Sequence, residues 1–409
     1  MSYATRTHHP RPAHVAVLGN PVRDAYLAVD AIDFATGRVS FQRGTAAFDI
    51  AYQGAGLRFG EKREAQCDLS TLDLAPFTIG NGGGVYHTAT QLAQLCRQRA
   101  LPVALTAIDI VTPWPELTAA YTQWGIHHRS RALEPSTTNL ILTNGQPDRL
   151  ILKSPSADSV LTAPAKAALR RQLVRGTDLL VVNSVRSVDL ARTVMDEAQR
   201  RRIPQYSVLT PSLALNARIA LQLQRDRASV CNLSEFALIA AAFGIDCPAH
   251  EEGAAVEDVA AVMATVAAQC HSGDLVVTLG GRGCLVGERA SGMVRHVVLT
   301  DGYRQQVQAY VQAQPACKNG VGDRFFGAFV LAHAFGGTRC TDRTARAAGW
   351  ASLQMVRQLA PGLAAQRSWV KLTPVLNGYG RGCLHRYSLT RSVRLNQLPQ
   401  PSRKSASMP

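Results

Sequence analysis

The order of patterns along the chain constrains its fold most. From Asp178 onward, short β-branched runs alternate with stretches at helical spacing. "DLLVVNS" reads as a strand, "SVDLARTVMDEAQRRR" as a helix and "IPQYSVLT" as a strand again. Helices are predicted in "NLSEFALIAAAFG", "VEDVAAVMATVAAQCH", "RFFGAFVLAHAFGG" and "DRTARAAGWASLQMVRQL", with a strand pair or strand-turn in "GDLVVTLGGRGCLV" among them. Nearer the start, "HVAVLG" (His14 to Gly19) and "LPVALTAID" read as strands. Between these two, a helix carries Ala89, Leu92, Leu95 and Cys96 on one face. Such alternation predicts an α/β chain: a three-layer α/β/α sandwich around a mostly parallel sheet.

Two stretches break that rhythm. Residues about 38–55 alternate with period two, and residues 137–153 form two strand-like arms around "TNGQPD". Asn144-Gly145 is a strong hairpin signal there. Both predict a small β-sheet apart from the main one. Periodicity fades from about Arg367, and the end, "PQPSRKSASMP", reads as disordered.

With 46% hydrophobic and 18% charged residues over 409 positions, one large domain with insertions can bury a sizeable core. The net charge of +15 attracts polyanions. The arginines are scattered, however, and aromatics make up only 6%, so no basic stripe with interleaved aromatics appears. Nucleic acid is therefore not the expected partner, and phosphorylated small molecules suit a basic surface equally well. Nine cysteines without a C-x-x-C pair point to thiols in a reducing compartment. "MSYATRTHHPRPAH" lacks the apolar core of a secretory signal, and no run reaches the ~18 apolar residues of a membrane span. A cytoplasmic protein is expected. The adjacent pairs His8-His9 and His127-His128 give no metal-ligand spacing and are expected on a solvated surface.

The stretch "ACKNGVGDRFFGAFVLAHAFG" (Ala316 to Gly336) carries the sharpest chemical signal. Gly320 and Gly322 permit a left-handed turn and leave no side chain in a ligand's way. Amides exposed at a helix start then face an anion, helped by the helix dipole. Asp323 sits at the first turn, where a carboxylate can take a proton from an attacking hydroxyl. Simple capping by Asp competes with that reading. "VVTLGGRGCLV" sets Thr278, Gly280 and Gly283 at a strand end, where an ordinary hairpin is the plain alternative. Asn232 and Glu235 share a face at a helix start, as a capping box also would. "GNGGGVYHTA" supplies a further glycine turn, and "LGNPVRD" puts Asn20 and Asp24 just past the first strand, where a carboxylate can grip sugar hydroxyls.

Taken in order, these pieces resemble the ribokinase-like (PfkB-type) carbohydrate kinases over roughly Val15 to Leu359. The resemblance implies a kinase domain over 14–380, with a lid from inserted segments about 22–75 and 135–155 and a basic, disordered tail over 381–409. It implies transfer of the γ-phosphoryl group of ATP, with Mg²⁺, to a hydroxyl of a sugar, sugar phosphate or nucleoside. Asp323 would be the base, and the amides of Gly320, Val321 and Gly322 would hold the transferring group. Glu235, with Asn232, would place Mg²⁺ through water; Thr278, Gly280 and Gly283 would line the nucleotide site. Asp24, Asn20, Gly82 and Gly83 would contact the acceptor. A homodimer through the lid is also implied as an option.

The chain departs from the pattern at three places. "CKNGVGD" stands where D-T-x-G-A-G-D is usual, His87 stands for an Asn at the acceptor side, and "LTPS" (Leu209 to Ser212) stands for a D-P-N-like strand end. Lys318 adds a charge able to bind phosphate. The altered acceptor residues keep a second reading open, a non-catalytic sugar- or nucleotide-binding regulatory protein on the same fold.

Overall fold

In the computed structural model, residues 12–393 are described except 55, 58, 60–61, 146–148, 156–159, 175, 184, 186, 210–222, 224, 249–253, 271–272, 314–319, 337–340, 361–369, 380–384 and 387–390. The chain starts in the main sheet with β1 (Ala13–Leu18) and leaves it at once. β2 (Val22–Ala28), β3 (Ala31–Ala35), β4 (Arg38–Arg43), β5 (Ala46–Ala51), β6 (Lys62–Glu64) and β7 (Thr78–Gly82) form this first excursion. α1 (Gly84–Gln98) brings the chain back to β8 (Val103–Val111), α2 (Pro115–Trp124) and β9 (Ile126–Glu134). A second excursion, β10 (Thr138–Thr143) and β11 (Leu150–Lys153), follows before α3 (Ala163–Val174).

From there strands and helices alternate: β12 (Leu179–Val182), α4 (Val188–Arg200), β13 (Gln205–Val208), β14 (Ala228–Asn232), α5 (Leu233–Ala242), α6 (Val256–Cys270) and β15 (Asp274–Thr278). β16 (Cys284–Glu288) and β17 (Met293–Leu299) precede three helices, α7 (Asp301–Ala313), α8 (Val321–Phe335) and α9 (Arg343–Leu359). β18 (Val370–Asn377), β19 (His385–Arg386) and β20 (Arg391–Val393) complete the elements.

The main sheet runs β19-β18-β17-β16-β15-β14-β13-β12-β1-β8-β9, with β20 also on β18. Pairs from β9 to β15 are parallel, and those from β15 to β18 are antiparallel. Its central strands, such as β1, β12 and β15, are largely apolar because helices cover both faces. β1 illustrates the rule: Val15 and Val17 pack on α1, α8 and α9, whereas Ala16 and Leu18 pack on α3 and α4. A third cluster seats α5 and α6.

The two excursions assemble into one lid. Its larger sheet has the order β6-β11-β10-β2-β7, and β3-β4-β5 is a separate antiparallel meander. Both share an apolar centre that includes Phe41, Ile50, Tyr52, Leu140 and Leu152. The hairpin at Asn144-Gly145 forms as its sequence predicts, with β10 antiparallel to β11 and Gly145 at φ 79°.

Three helices escape the sequence reading, each with a helix breaker in its first two positions. α2 and α3 carry Pro115 and Pro164 there, and α7 carries Gly302. A proline is tolerated in a first turn because the amide it lacks would have no helical partner. Although periodicity fades from about Arg367, β18 forms beyond it, and β19 and β20 pair with β18. The rest of the tail over 381–409 lies outside the described residues. His128 corrects the surface expectation for the histidine pair. Its Nε2 lies 2.7 Å from Oδ2 of the fully buried Asp109, whereas His127 is exposed.

Candidate active site

Strand order reverses at β1. β12 to β15 extend to one side of it, β8 and β9 to the other. In an open α/β sheet that reversal leaves a crevice at the carboxyl ends of the strands. A cleft of about 280 Å³ occupies this place. Strand ends supply Asn20, Asn232 and Thr278, the lid supplies Asp24, Lys62 and Lys153, and the starts of α1 and α8 complete the wall.

The start of α8 is open. Gly320 is its N-cap residue at φ 67°, and among the described residues no side chain caps the first turn. Its leading amides, which have no acceptor within a helix, therefore face the cleft lined by Gly320, Val321 and Gly322. A Cβ at Gly322 would meet no atom of a described residue within 4 Å, so this position leaves room for a ligand. Asp323 is not the cap. Its Oδ1 accepts a hydrogen bond of 2.9 Å from Asn183 Nδ2, and Oδ2 takes none from a described residue. Asn183 is fully buried just past β12, and its Nδ2 also donates to Thr88 Oγ1 at 2.8 Å. Thr88 Oγ1 donates in turn to the Asp323 carbonyl at 3.1 Å. Two neutral side chains thus anchor Asp323, Asn183 at its carboxylate and Thr88 at its carbonyl. Sequence reasoning missed both. Asn183 leaves a trace, a polar residue closing the apolar run "LLVV" at a strand end.

On the lid side, Asp24 is buried on β2. Its Oδ1 accepts from Asn139 Nδ2 at 3.0 Å and its Oδ2 from the Tyr26 hydroxyl at 3.4 Å. A Cβ at Gly82 would collide with this carboxylate, so Gly82 makes the room that Asp24 occupies. Gly83, at φ 87°, lets the start of α1 approach the backbone of Asn20. Asn20 Nδ2 donates to Glu134 Oε2 at 3.4 Å, joining the two points where the chain crosses into the lid. His87 lies on the first turns of α1 and lines the cleft; burial pushes its pKa down, against the opposing pull of Asp323.

α5 starts differently from α8. Asn232 Oδ1 accepts from the Glu235 amide at 2.7 Å, and Glu235 Oε2 accepts from the Asn232 amide at 3.0 Å. This capping box is the alternative that the sequence left open, and it forms. Burial pushes the Glu235 carboxyl up, and Lys62 and Lys153 of the lid oppose that shift. Among the described residues no group of three or more His, Cys, Asp or Glu side chains could hold a metal ion directly. Glu235 Oε1 takes no hydrogen bond from a described residue, so the donor set fits Mg²⁺ only through its water shell.

Thr278 reaches the cleft and donates to the Cys231 carbonyl at 3.4 Å. Gly280 and Gly283 belong to the 3₁₀ turn after β15 and are not among the cleft's lining. Gly283 has a packing reason, since a Cβ there would collide with the Val297 carbonyl. Lys318 lies outside the described residues.

No family model and no curated protein matches the sequence. Solved structures do match the fold. Adenosine kinase from Schistosoma mansoni in complex with 2-fluoroadenosine aligns with a TM-score of 0.59 at 11% identity, over 87% of this chain and 96% of that one. Ribokinase from Giardia lamblia aligns with a TM-score of 0.57 at 15% identity, over 87% and 94%. Phosphofructokinase-2 from Escherichia coli, in complex with substrates and products, aligns with a TM-score of 0.54 at 15% identity, over 86% and 99%. The chain has the ribokinase-like fold.

Proposed function

We propose that the protein is a phosphotransferase that moves the γ-phosphoryl group of ATP to a hydroxyl of a sugar, sugar phosphate or nucleoside. One observation carries the reading: Asp323 is anchored by Asn183 beside an uncapped helix start, inside a cleft at the strand ends. Asp323 takes the proton of the attacking hydroxyl through the oxygen that Asn183 leaves unbonded. The amides of Gly320, Val321 and Gly322 hold the charge that builds on the phosphoryl oxygens. Asp24 orients the acceptor through hydroxyl contacts, supported by Asn139. Lys62 and Lys153 bring positive charge toward Glu235 from the lid, where nucleotide phosphates and their metal would lie. Mg²⁺, held through water at Glu235, would supply charge neutralisation on those phosphates.

The kinases that share this fold at 11–15% identity support the reaction class. Function still resides in the site rather than the fold. The buried His87 at the acceptor end favours a second reading, a binding or regulatory protein that kept the fold. ADP release distinguishes the two, with ATP, Mg²⁺ and a panel of sugars, sugar phosphates and nucleosides. Turnover with one acceptor, lost in Asp323→Asn, establishes the kinase. Binding of nucleotide or sugar without turnover establishes the second reading.

A further inference from the structure

At the amino ends of β13 and β14, the sheet buries a carboxylate that forms no ion pair among the described residues. Asp226 lies just before β14 and is 4% exposed. Its Oδ2 accepts from the Ser229 hydroxyl at 2.8 Å. Its Oδ1 has no hydrogen-bond partner among the described residues, and neither do Ser207 Oγ and Gln205 Oε1, both from buried side chains. These oxygens share one side of the sheet. Tyr206, Ala228 and Val230 join the apolar cluster under α1, α8 and α9, so the alternate residues Gln205, Ser207 and Ser229 point to the opposite face. Ser207 lies opposite Ser229 in the parallel pair, and Gln205 Nε2 donates to the Met195 carbonyl of α4 at 3.1 Å. The place is remote from the cleft: Asp226 precedes the first residue of β14, and Asn232, which lines the cleft, is its last.

The charged groups nearby are already engaged. Arg225 pairs with Asp196 on α4, and Glu197 of the same helix is held by Arg200 and Arg201. Burial pushes the Asp226 carboxyl up to about 7, against the opposing pull of Ser207, Ser229 and Arg225. A carboxylate taken out of water needs a counter-charge or a proton.

We propose that this cluster binds a monovalent alkali cation, Na⁺ or K⁺, between the Asp226 carboxylate and the oxygens of Ser207 and Gln205. The ion enters as the proton leaves Asp226, so the buried charge stays balanced. Hydroxyl and amide oxygens supply neutral lone pairs that suit such an ion. Mg²⁺ gives up its waters reluctantly and would bring a charge that one carboxylate does not balance.

Urea unfolding of the full chain at pH 8, in sodium, potassium and tetramethylammonium chloride at equal ionic strength, tests the site. Without an alkali ion, the native chain keeps a proton that an unfolded carboxyl gives up at about 3.9. Stability therefore falls as pH rises from there to about 7. Na⁺ or K⁺ should recover part of that loss and raise the urea midpoint above its value in tetramethylammonium, increasingly so at higher concentration. The ion with the lower half-saturation is the occupant. Below about pH 7 protons compete, and the apparent affinity should fall about tenfold per pH unit. Asp226→Asn should remove the alkali advantage, and Ser207→Ala should weaken the apparent affinity. One readout needs no variant: at pH 6.5 in weak buffer, alkali chloride added to the native chain should release protons that tetramethylammonium chloride does not. The proposal is overturned if the three salts give one midpoint, if no proton is released, or if Asp226→Asn keeps the alkali advantage, which would place the ion elsewhere.

Discussion

Two of the helix starts that border the cleft are finished in opposite ways. α5 satisfies its own amides through the Asn232–Glu235 box, whereas α8 has Gly320 at its start and no side-chain cap among the described residues. A capping box stabilises its helix and leaves little for a ligand to add. An open start gives up that stability and leaves its leading amides to an anion in the crevice. Under the proposed function the difference divides the tasks: α5 would provide a fixed edge with a carboxylate, and α8 the place where charge develops. The far end of α8 is closed again. His333 there shares hydrogen bonds with the Tyr206 hydroxyl at 2.7 Å and with Thr344 Oγ1 at 3.0 Å.

The largest expected effect tests the open start itself. Asp323→Asn preserves an oxygen for Asn183 but removes the proton acceptor. The turnover number should fall by about 10²–10⁴-fold, with unfolding by urea almost unchanged. Normal turnover in this variant would end the assignment of roles to α8.

The closed end of the same helix gives the next effect. Burial holds His333 down to about 3, with Arg343 and Arg227 adding to the shift. An unfolded histidine titrates near 6.5. Between those values the unfolded chain binds a proton that the native chain refuses, so stability falls as pH falls through the window. The slope from this one group is about 1.4 kcal/mol per pH unit. Urea unfolding between pH 6.5 and 5 should show a shallower slope in His333→Gln than in the native chain.

Gly320→Ala forces a side chain into a left-handed residue and toward the His87 ring. A cost of at least about 1–2 kcal/mol is expected from the backbone alone. The loss of MgADP affinity should exceed what this stability change explains. Asn232→Ala removes a cap and should cost about 1 kcal/mol in unfolding, with MgADP affinity changed little. If Asn232→Ala weakened MgADP as much as Gly320→Ala, the contrast between the two starts would collapse.

Much of this architecture is readable from residue order. Runs such as "LLVV" and "LVVT" announce buried strands, and the period-two segments announce the lid. The glycines before α8 mark the open start for the same reason, since a side chain there would fill the space they keep clear. What stays hidden is long-range. Asn183 meets Asp323 across 140 positions and Asn139 meets Asp24 across 115, and no local pattern encodes such pairs. Glu235 misleads in the other direction. "NLSE" reads equally well as a cap or as a ligand contact, and only the capping bonds at 2.7 and 3.0 Å show that its carboxylate is half committed to the helix.

The central pair of the lid joins the two excursions. β2 and β10 lie parallel, with Asp24 opposite Asn139 and Tyr26 opposite Ile141. β10 and β11 can zip locally as a hairpin, but β2 meets β10 only across more than a hundred residues. Closing so long a loop is slow until the strands that carry its ends, β1 and β9, are anchored in the main sheet. The lid is therefore expected to fold late and to open first under denaturant, as a single cooperative unit. Its amide protons should exchange before those of β1, β8 and β12. The Asn139–Asp24 bond, which lines the cleft proposed for the acceptor, spans this seam, so that wall of the cleft lasts only as long as the lid stays folded.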